Sequence, residues 1–141
     1  MRPGVSRRID RVLKAIERLD RLVGMGLEGL VERDLAPMLE REVEVTIQGL
    51  LDIGEYIVSA MGWEPPSRYS EIGEILARHG VVGSEDGEVL ARLARLRNLI
   101  VHVYADIDLG LLFEHAERLR RDARRLLGRL VGYMESKGID P

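Results

Sequence analysis

The sequence contains no cysteine, and this absence excludes several classes of protein at once. Disulfide scaffolds, thiolate nucleophiles and cysteine-ligated zinc or iron–sulfur centres all require thiols. Any catalysis must therefore come from histidine, carboxylate, arginine, tyrosine or serine side chains. The three histidines, His79, His102 and His115, are too far apart in sequence for a compact metal motif. We expect neither a metal site nor a bound cofactor.

Long apolar runs are also missing. No stretch approaches the roughly 18 residues that span a membrane, and the first ten residues lack the apolar segment of a signal peptide. We therefore expect a cytoplasmic protein that does not associate with membranes. The 141 residues, 45% apolar and 32% charged, suit one globular domain covering 1–141.

An excess of positive charge is absent as well. Lysine and arginine total 21 against 24 acidic residues, which gives a formal net charge of −3 and no global attraction to nucleic acid. The densest basic segment is Arg118–Arg129, with six arginines in twelve residues. Since acidic residues are interspersed there, a solvated helix face with ion pairs is favoured over a polyanion-binding face.

Helical periodicity dominates the chain, and no alternating strand pattern is evident. Short connections between the predicted helices favour an all-α, antiparallel bundle of about five helices. The segment 24–29 spells G-x-G-x-x-G, but no strand precedes it, so we interpret it as a joint between helices. The predicted helices cover about 5–23, 34–61, 67–79 and 84–102, and a last long helix follows 105–108.

Polar residues interrupt an apolar segment near the end of the fourth predicted helix. Asn98, the only asparagine, lies one helical turn from His102, so the two side chains can share a face. Arg97 and His102 are five residues apart and diverge by about 140° around a helix. A compact Arg–His site is therefore hard to build from one helix, whereas a second copy across a two-fold axis would complete it. The alternative is a structural pair without catalytic function.

These residues resemble the HEPN superfamily, and within it the HepT-like toxin ribonucleases, whose R-N-x-x-x-H motif extends to R-x4-H-x-Y. Arg97, Asn98, His102 and Tyr104 match the four motif positions. The chain departs at Val103, where some relatives carry Asp or Gly. The resemblance covers about 35–130 and includes flanking segments in order and spacing: Glu40-Arg41, Leu51-Asp52-Ile53, Tyr56-Ile57, Pro66-Ser-Arg-Tyr69 and Gly80-Val-Val82.

The resemblance implies an all-helical HEPN bundle, a homodimer with a composite cleft at its two-fold interface, and metal-independent RNA cleavage by a toxin of a toxin–antitoxin module. The implied partner is an MNT-type nucleotidyltransferase antitoxin that adds AMP to Tyr104. In such a site His102 would transfer protons, Arg97 would bind the scissile phosphate, and Asn98 would orient His102 or hold the helix end.

The alternative function is a non-catalytic helical adaptor that binds a nucleotidyltransferase or a nucleotide. Negative net charge and an aromatic content of only 4% favour this alternative, because RNA-binding proteins often use basic faces and stacking rings. The complete motif favours the ribonuclease.

Overall fold

The computed structural model describes residues 3–102 and 108–139, including all of their side chains except those of residues 3, 4 and 102. This part of the chain is helical and contains no strand, which confirms the predicted all-α class. None of its helices combines the length and apolar character needed to cross a membrane. The elements are α1 (Pro3–Gly24), α2 (Gly26–Glu32), α3 (Ala36–Ala60), a 3₁₀ turn (Tyr69–Glu71), α4 (Ile72–Arg78), α5 (Ser84–His102) and α6 (Leu109–Ser136).

The glycine-rich segment 24–29 lies between two helices, as predicted. A single residue, Met25, separates α1 from α2, and Gly26 takes a positive φ of 75° at the break. Because a helix rather than a strand precedes these glycines, they lack the strand–turn–helix context that a dinucleotide fingerprint needs.

The prediction that a helix begins at Asp34 is wrong, because Asp34 ends α2. Its φ of 54° lies in the left-handed region, as is common just after a helix. The N–H of Leu35 donates to the Leu30 carbonyl at 2.9 Å. The N–H of Asp34 donates to the Val31 carbonyl at 3.2 Å. This pair of bonds is a Schellman motif, and the next helix, α3, starts only at Ala36.

The helix predicted over 67–79 begins later in the structure. The backbone N–H of Ser67 donates to the Glu71 carboxylate at 3.0 Å, and the N–H of Glu71 donates to the Arg68 carbonyl at 3.0 Å. These contacts close a 3₁₀ turn, and α4 follows directly at Ile72. The turn positions Tyr69 beside α5.

The core of the bundle is built around α3. Thr46, the only threonine, is fully buried, and its hydroxyl donates to the Glu42 carbonyl at 2.8 Å. The buried Glu42 carboxylate in turn accepts from Arg18 Nε of α1 at 3.1 Å. The α3 residues that recur at three- and four-residue steps form a buried stripe; its members are Leu39, Val43, Thr46, Leu50, Ile53 and Ile57.

Most of the arginine-rich segment of α6 forms ion pairs, which confirms the solvated-face interpretation there. The acidic partners are Asp20 of α1, Asp86 in the first turn of α5, and Asp122. The hydrogen bond from Arg124 lowers the pKa of Asp20. Surface pairs of this kind contribute only about 0–1 kcal/mol each. The paired arginines are Arg120, Arg124, Arg125 and Arg129.

Backbone contacts between glycines set the spacing of α4 and α5. A Cβ built on Gly87 would lie 2.8 Å from the Gly73 carbonyl oxygen and 2.9 Å from Cβ of Ala77. A Cβ on Gly73 would overlap the Gly87 carbonyl oxygen. The two helices can approach this closely only because neither residue has a side chain.

We expect Gly73→Ala to destabilise the fold by about 1–3 kcal/mol, because the added methyl meets backbone that cannot rotate away. Thermal or urea unfolding measures the change. The matched control is Gly128→Ala in α6, where a Cβ meets nothing within 4 Å. This control should gain about 0.5–1 kcal/mol from lower backbone entropy in the unfolded chain. Equal stabilities for the two variants would contradict the close crossing.

Candidate functional site

Arg97 lies near the end of α5, whose bounds, Ser84 and His102, match the prediction. Its guanidinium carbon lies 5.7 Å from the centre of the Tyr69 ring, within the range of a cation–π contact. Its Nε is buried and has no hydrogen-bond partner among the described residues. No carboxylate in that part of the chain pairs with it. The arginine is therefore held by an aromatic ring, and no acidic side chain among the described residues neutralises its charge.

Tyr69 is a site residue that the motif did not reveal. It lies in the 3₁₀ turn and is half-buried against the core. A cation–π contact contributes about 0.5–1 kcal/mol when exposed and more when desolvated. The only sequence signal was the segment Pro66-Ser-Arg-Tyr69, which belongs to the flanking resemblance but carries no recognisable chemistry.

Asn98 is exposed beside Arg97, as the motif predicts. Its side-chain oxygen accepts from Arg97 Nη1 at 3.4 Å, a long hydrogen bond. The resemblance implied that Asn98 orients His102 or holds the helix end, whereas the side-chain contact that the structure describes is with Arg97. Asn98 and Tyr69 together limit the positions that the guanidinium can take.

The other two predicted site residues are described only in part or not at all. His102 is the last residue of α5, and its side chain is not among those described. Tyr104 falls in 103–107, outside the described residues. Since α5 is continuous from Arg97 to His102, the two residues are five apart on one helix, and their positions differ by about 140° around its axis.

The remaining two histidines are engaged elsewhere. His79 stacks on Trp63, with ring centres 3.8 Å apart and an interplanar angle of 6°. His115 Nδ1 is 3.2 Å from Arg118 Nη2. In the described ranges, no group of three or more histidine, aspartate and glutamate side chains is arranged to hold a metal ion.

Two large apolar side chains are exposed near this end of the bundle. Leu99, between Arg97 and His102 in sequence, is 53% exposed, and Leu111 in the first turn of α6 is 48% exposed. Leu99 is therefore available for contact with another protein chain beside the motif residues.

Solved structures with the same fold include several helical proteins of low sequence identity. A tri-AMPylated Shewanella oneidensis HEPN toxin in complex with an MNT antitoxin superposes with a TM-score of 0.83 at 17% identity, covering 94% of this chain and 99% of that one. A toxin–antitoxin structure with AMP-PNP has a TM-score of 0.81 at 16% identity, covering 92% and 99%. The cytosolic Bacillus subtilis protein YutE, of unknown function, has a TM-score of 0.74 at 22% identity, covering 94% and 92%. At these identities the likeness establishes the fold.

Sequence comparison identifies the family. A comparison of the sequence with curated proteins finds no match. The family model for HepT-like ribonucleases matches residues 12–130, a range that contains the core of the bundle, the 3₁₀ turn, and all of α4 and α5. The match extends well beyond the R-x4-H-x-Y motif that first suggested the resemblance. The chain is therefore a member of the HepT-like ribonuclease family.

Proposed function

We propose that this chain is a metal-independent endoribonuclease and the toxin of a toxin–antitoxin pair. The observation that carries the proposal is the guanidinium of Arg97, which contacts the Tyr69 ring and has no carboxylate partner in the part of the chain that the structure describes. Arg97 lies on the helix that also bears His102. A structural arginine is usually paired with a carboxylate, as four arginines of α6 are. A cation that is positioned but unpaired is suited to bind a phosphate.

The proposed chemistry uses the nucleophile that RNA itself carries. The 2′-oxygen attacks the neighbouring phosphorus, the bond from phosphorus to the 5′-oxygen breaks, and a 2′,3′-cyclic phosphate and a 5′-hydroxyl result. One proton leaves the 2′-hydroxyl and one reaches the departing 5′-oxygen. Histidine, with an ordinary pKa near 6.5, is suited to both transfers, and we assign this role to His102. Arg97 stabilises the negative charge that develops on the phosphate oxygens.

The proposed active form is a homodimer. The positions of Arg97 and His102 are about 140° apart around one helix, so a second α5 across a two-fold axis would bring an arginine of one copy near a histidine of the other. The exposed Leu99 supports this arrangement, because dimerisation would bury it. Neither copy alone would then hold a complete site.

RNA cleavage by the purified protein tests the proposal. We expect single-stranded RNA to be cut in the presence of EDTA, leaving 2′,3′-cyclic phosphate ends. Arg97→Ala and His102→Ala should each lower the rate by about 10²-fold or more, because each removes a group that acts in the chemical step. Product ends are identified by mass spectrometry.

The control for this experiment is Arg121→Ala, which removes an exposed arginine of α6 outside the motif. It should cleave RNA at the parental rate. If Arg97→Ala and His102→Ala cleave as fast as the parent, the site assignment is wrong. A protein that binds a nucleotidyltransferase but never cuts RNA would be the non-catalytic adaptor instead.

Substitution of Tyr69 tests how Arg97 is positioned. Tyr69→Leu should lower kcat several-fold, because the guanidinium loses the aromatic face that holds it. Tyr69→Phe keeps the ring and should retain nearly the parental kcat. If Tyr69 had only a structural role, Tyr69→Leu would lower the stability of the fold, and the leucine and phenylalanine variants would have the same kcat. Equal kcat for the two variants would therefore reject the positioning role.

Control by an MNT-type nucleotidyltransferase is the second part of the proposal, and Tyr104 is its target. The tri-AMPylated state of the Shewanella toxin, which is bound to an MNT antitoxin, supports it. AMP attached two residues after His102 would add bulk and negative charge where an RNA phosphate binds. We expect co-expression with the cognate enzyme to add AMP to Tyr104 and to suppress cleavage. Intact-mass measurement with peptide mapping identifies the modified residue.

Tyr104→Phe should escape this control while still cutting RNA, since the phenol has no assigned proton-transfer role. If cleavage is suppressed while Tyr104 stays unmodified, occlusion of the site by the partner is the better explanation.

A further inference from the structure

A cleft between α5 and α6 holds basic side chains that the proposed active site does not use. The residues that line it are spaced one helical turn apart on each helix, so a row of side chains on α5 faces a row of side chains on α6. Its floor is apolar and formed by Leu93, Leu96 and Leu119, which are 8%, 9% and 1% exposed. Arg97 follows Leu96 directly in sequence but does not line the cleft.

Three basic side chains surround this floor: Arg92 from α5, and His115 and Arg118 from α6. Among the described residues, neither Arg92 nor Arg118 has a carboxylate partner. The one acidic residue that lines the cleft, Asp122, is already paired with Arg125 at 3.0 Å. The cleft therefore carries two positive charges that no carboxylate of the described residues pairs with, on a protein whose net charge is negative.

The contact between Arg118 and His115 fixes which histidine nitrogen carries a proton. A guanidinium can only donate, so His115 Nδ1 accepts from Arg118 and the proton of the neutral ring is on Nε2. Burial, together with the nearby Arg118 charge, lowers the pKa of His115 and so favours this neutral form. Neutral His115 then offers one further N–H donor beside the two arginines.

The size and chemistry of the cleft select its ligand. Its volume is about 190 Å³, below the roughly 300 Å³ at which whole small-molecule sites begin. Guanidinium groups bind carboxylate and phosphate oxygens through paired N–H donors, and phosphate is the anion that an RNA strand carries. Arg92 lies five residues before Arg97, about 7.5 Å along the helix axis and about 140° around it, so an RNA strand bound at both would cross the surface of α5 obliquely.

We propose that this cleft is a phosphate-binding subsite, in which Arg92 and Arg118 hold a further backbone phosphate of the RNA strand that is bound at Arg97. The subsite rests on the proposed ribonuclease function and extends it. It supplies the local positive charge that a protein with a net charge of −3 needs to bind RNA.

RNA binding by an Arg92→Gln, Arg118→Gln double variant tests the subsite. Both the variant and its parent carry His102→Ala, so that the RNA stays intact, and fluorescence anisotropy of a labelled single-stranded RNA is measured at several salt concentrations. We expect about tenfold weaker binding in the double variant. A plot of the logarithm of the association constant against the logarithm of the salt concentration has a negative slope. The magnitude of this slope should decrease by about 0.7 for each phosphate that the variant no longer neutralises.

The matched control is Arg121→Gln, an exposed α6 arginine that does not line the cleft. It should bind within about twofold of the parent if the cleft, rather than general positive charge, is responsible. In chains that retain His102, the double variant should raise KM and leave kcat nearly unchanged. Unfolding curves check that the variants keep the fold.

The outcomes separate the subsite from the proposed function. If the His102-containing parent cuts RNA but the double variant binds it as tightly as its own parent, the subsite is wrong and the ribonuclease stands. An Arg121→Gln effect as large as that of the double variant also rejects the subsite. If the parent neither binds nor cuts RNA, both the proposed function and the subsite fail.

Discussion

The close approach of α4 to α5 at Gly73 and Gly87 is the constraint on which the candidate site depends. Backbone meets backbone there, so the spacing of the two helices is set by atoms that cannot change rotamer. The 3₁₀ turn runs directly into α4, and α4 therefore determines where Tyr69 lies. Arg97 is about 15 Å further along α5 than Gly87, yet its aromatic support depends on that crossing.

One helix, α5, serves both packing and chemistry because its faces meet different neighbours. Leu90 and Ala94 are buried in the core, whereas Arg97 is turned toward Tyr69 and Arg92 toward α6. The arginines of these surfaces fall into two groups, those with a carboxylate partner and those without one among the described residues. Those that join helices have carboxylate partners, and those at the candidate site and in the α5–α6 cleft have none among the described residues. A chain of negative net charge can thus present local positive charge without a basic surface.

The part of the site that could be predicted is the part encoded within one helix. Arg97 and Asn98 are neighbours in sequence and touch in the structure, and the 140° between Arg97 and His102 follows from helix geometry alone. Tyr69 could not be predicted, because its contact with Arg97 joins two segments 28 residues apart and depends on how α4 packs. The same holds for Arg92 and Arg118, which lie on different helices and share a cleft only after folding.

Local sequence was enough to specify the all-α class, both ends of α5, the buried stripe of α3 and membership of the family, because apolar periodicity and motif spacing are local properties. Packing in three dimensions was needed to establish that Asp34 ends a helix, that a 3₁₀ turn precedes α4, and which arginines are neutralised. A polar residue such as Asp34 suits a helix start and a helix end alike, and the packing of α2 against the core chooses between them. For a charged side chain the choice between pairing and exposure is made by the helix that comes to lie beside it, and local sequence does not specify that helix.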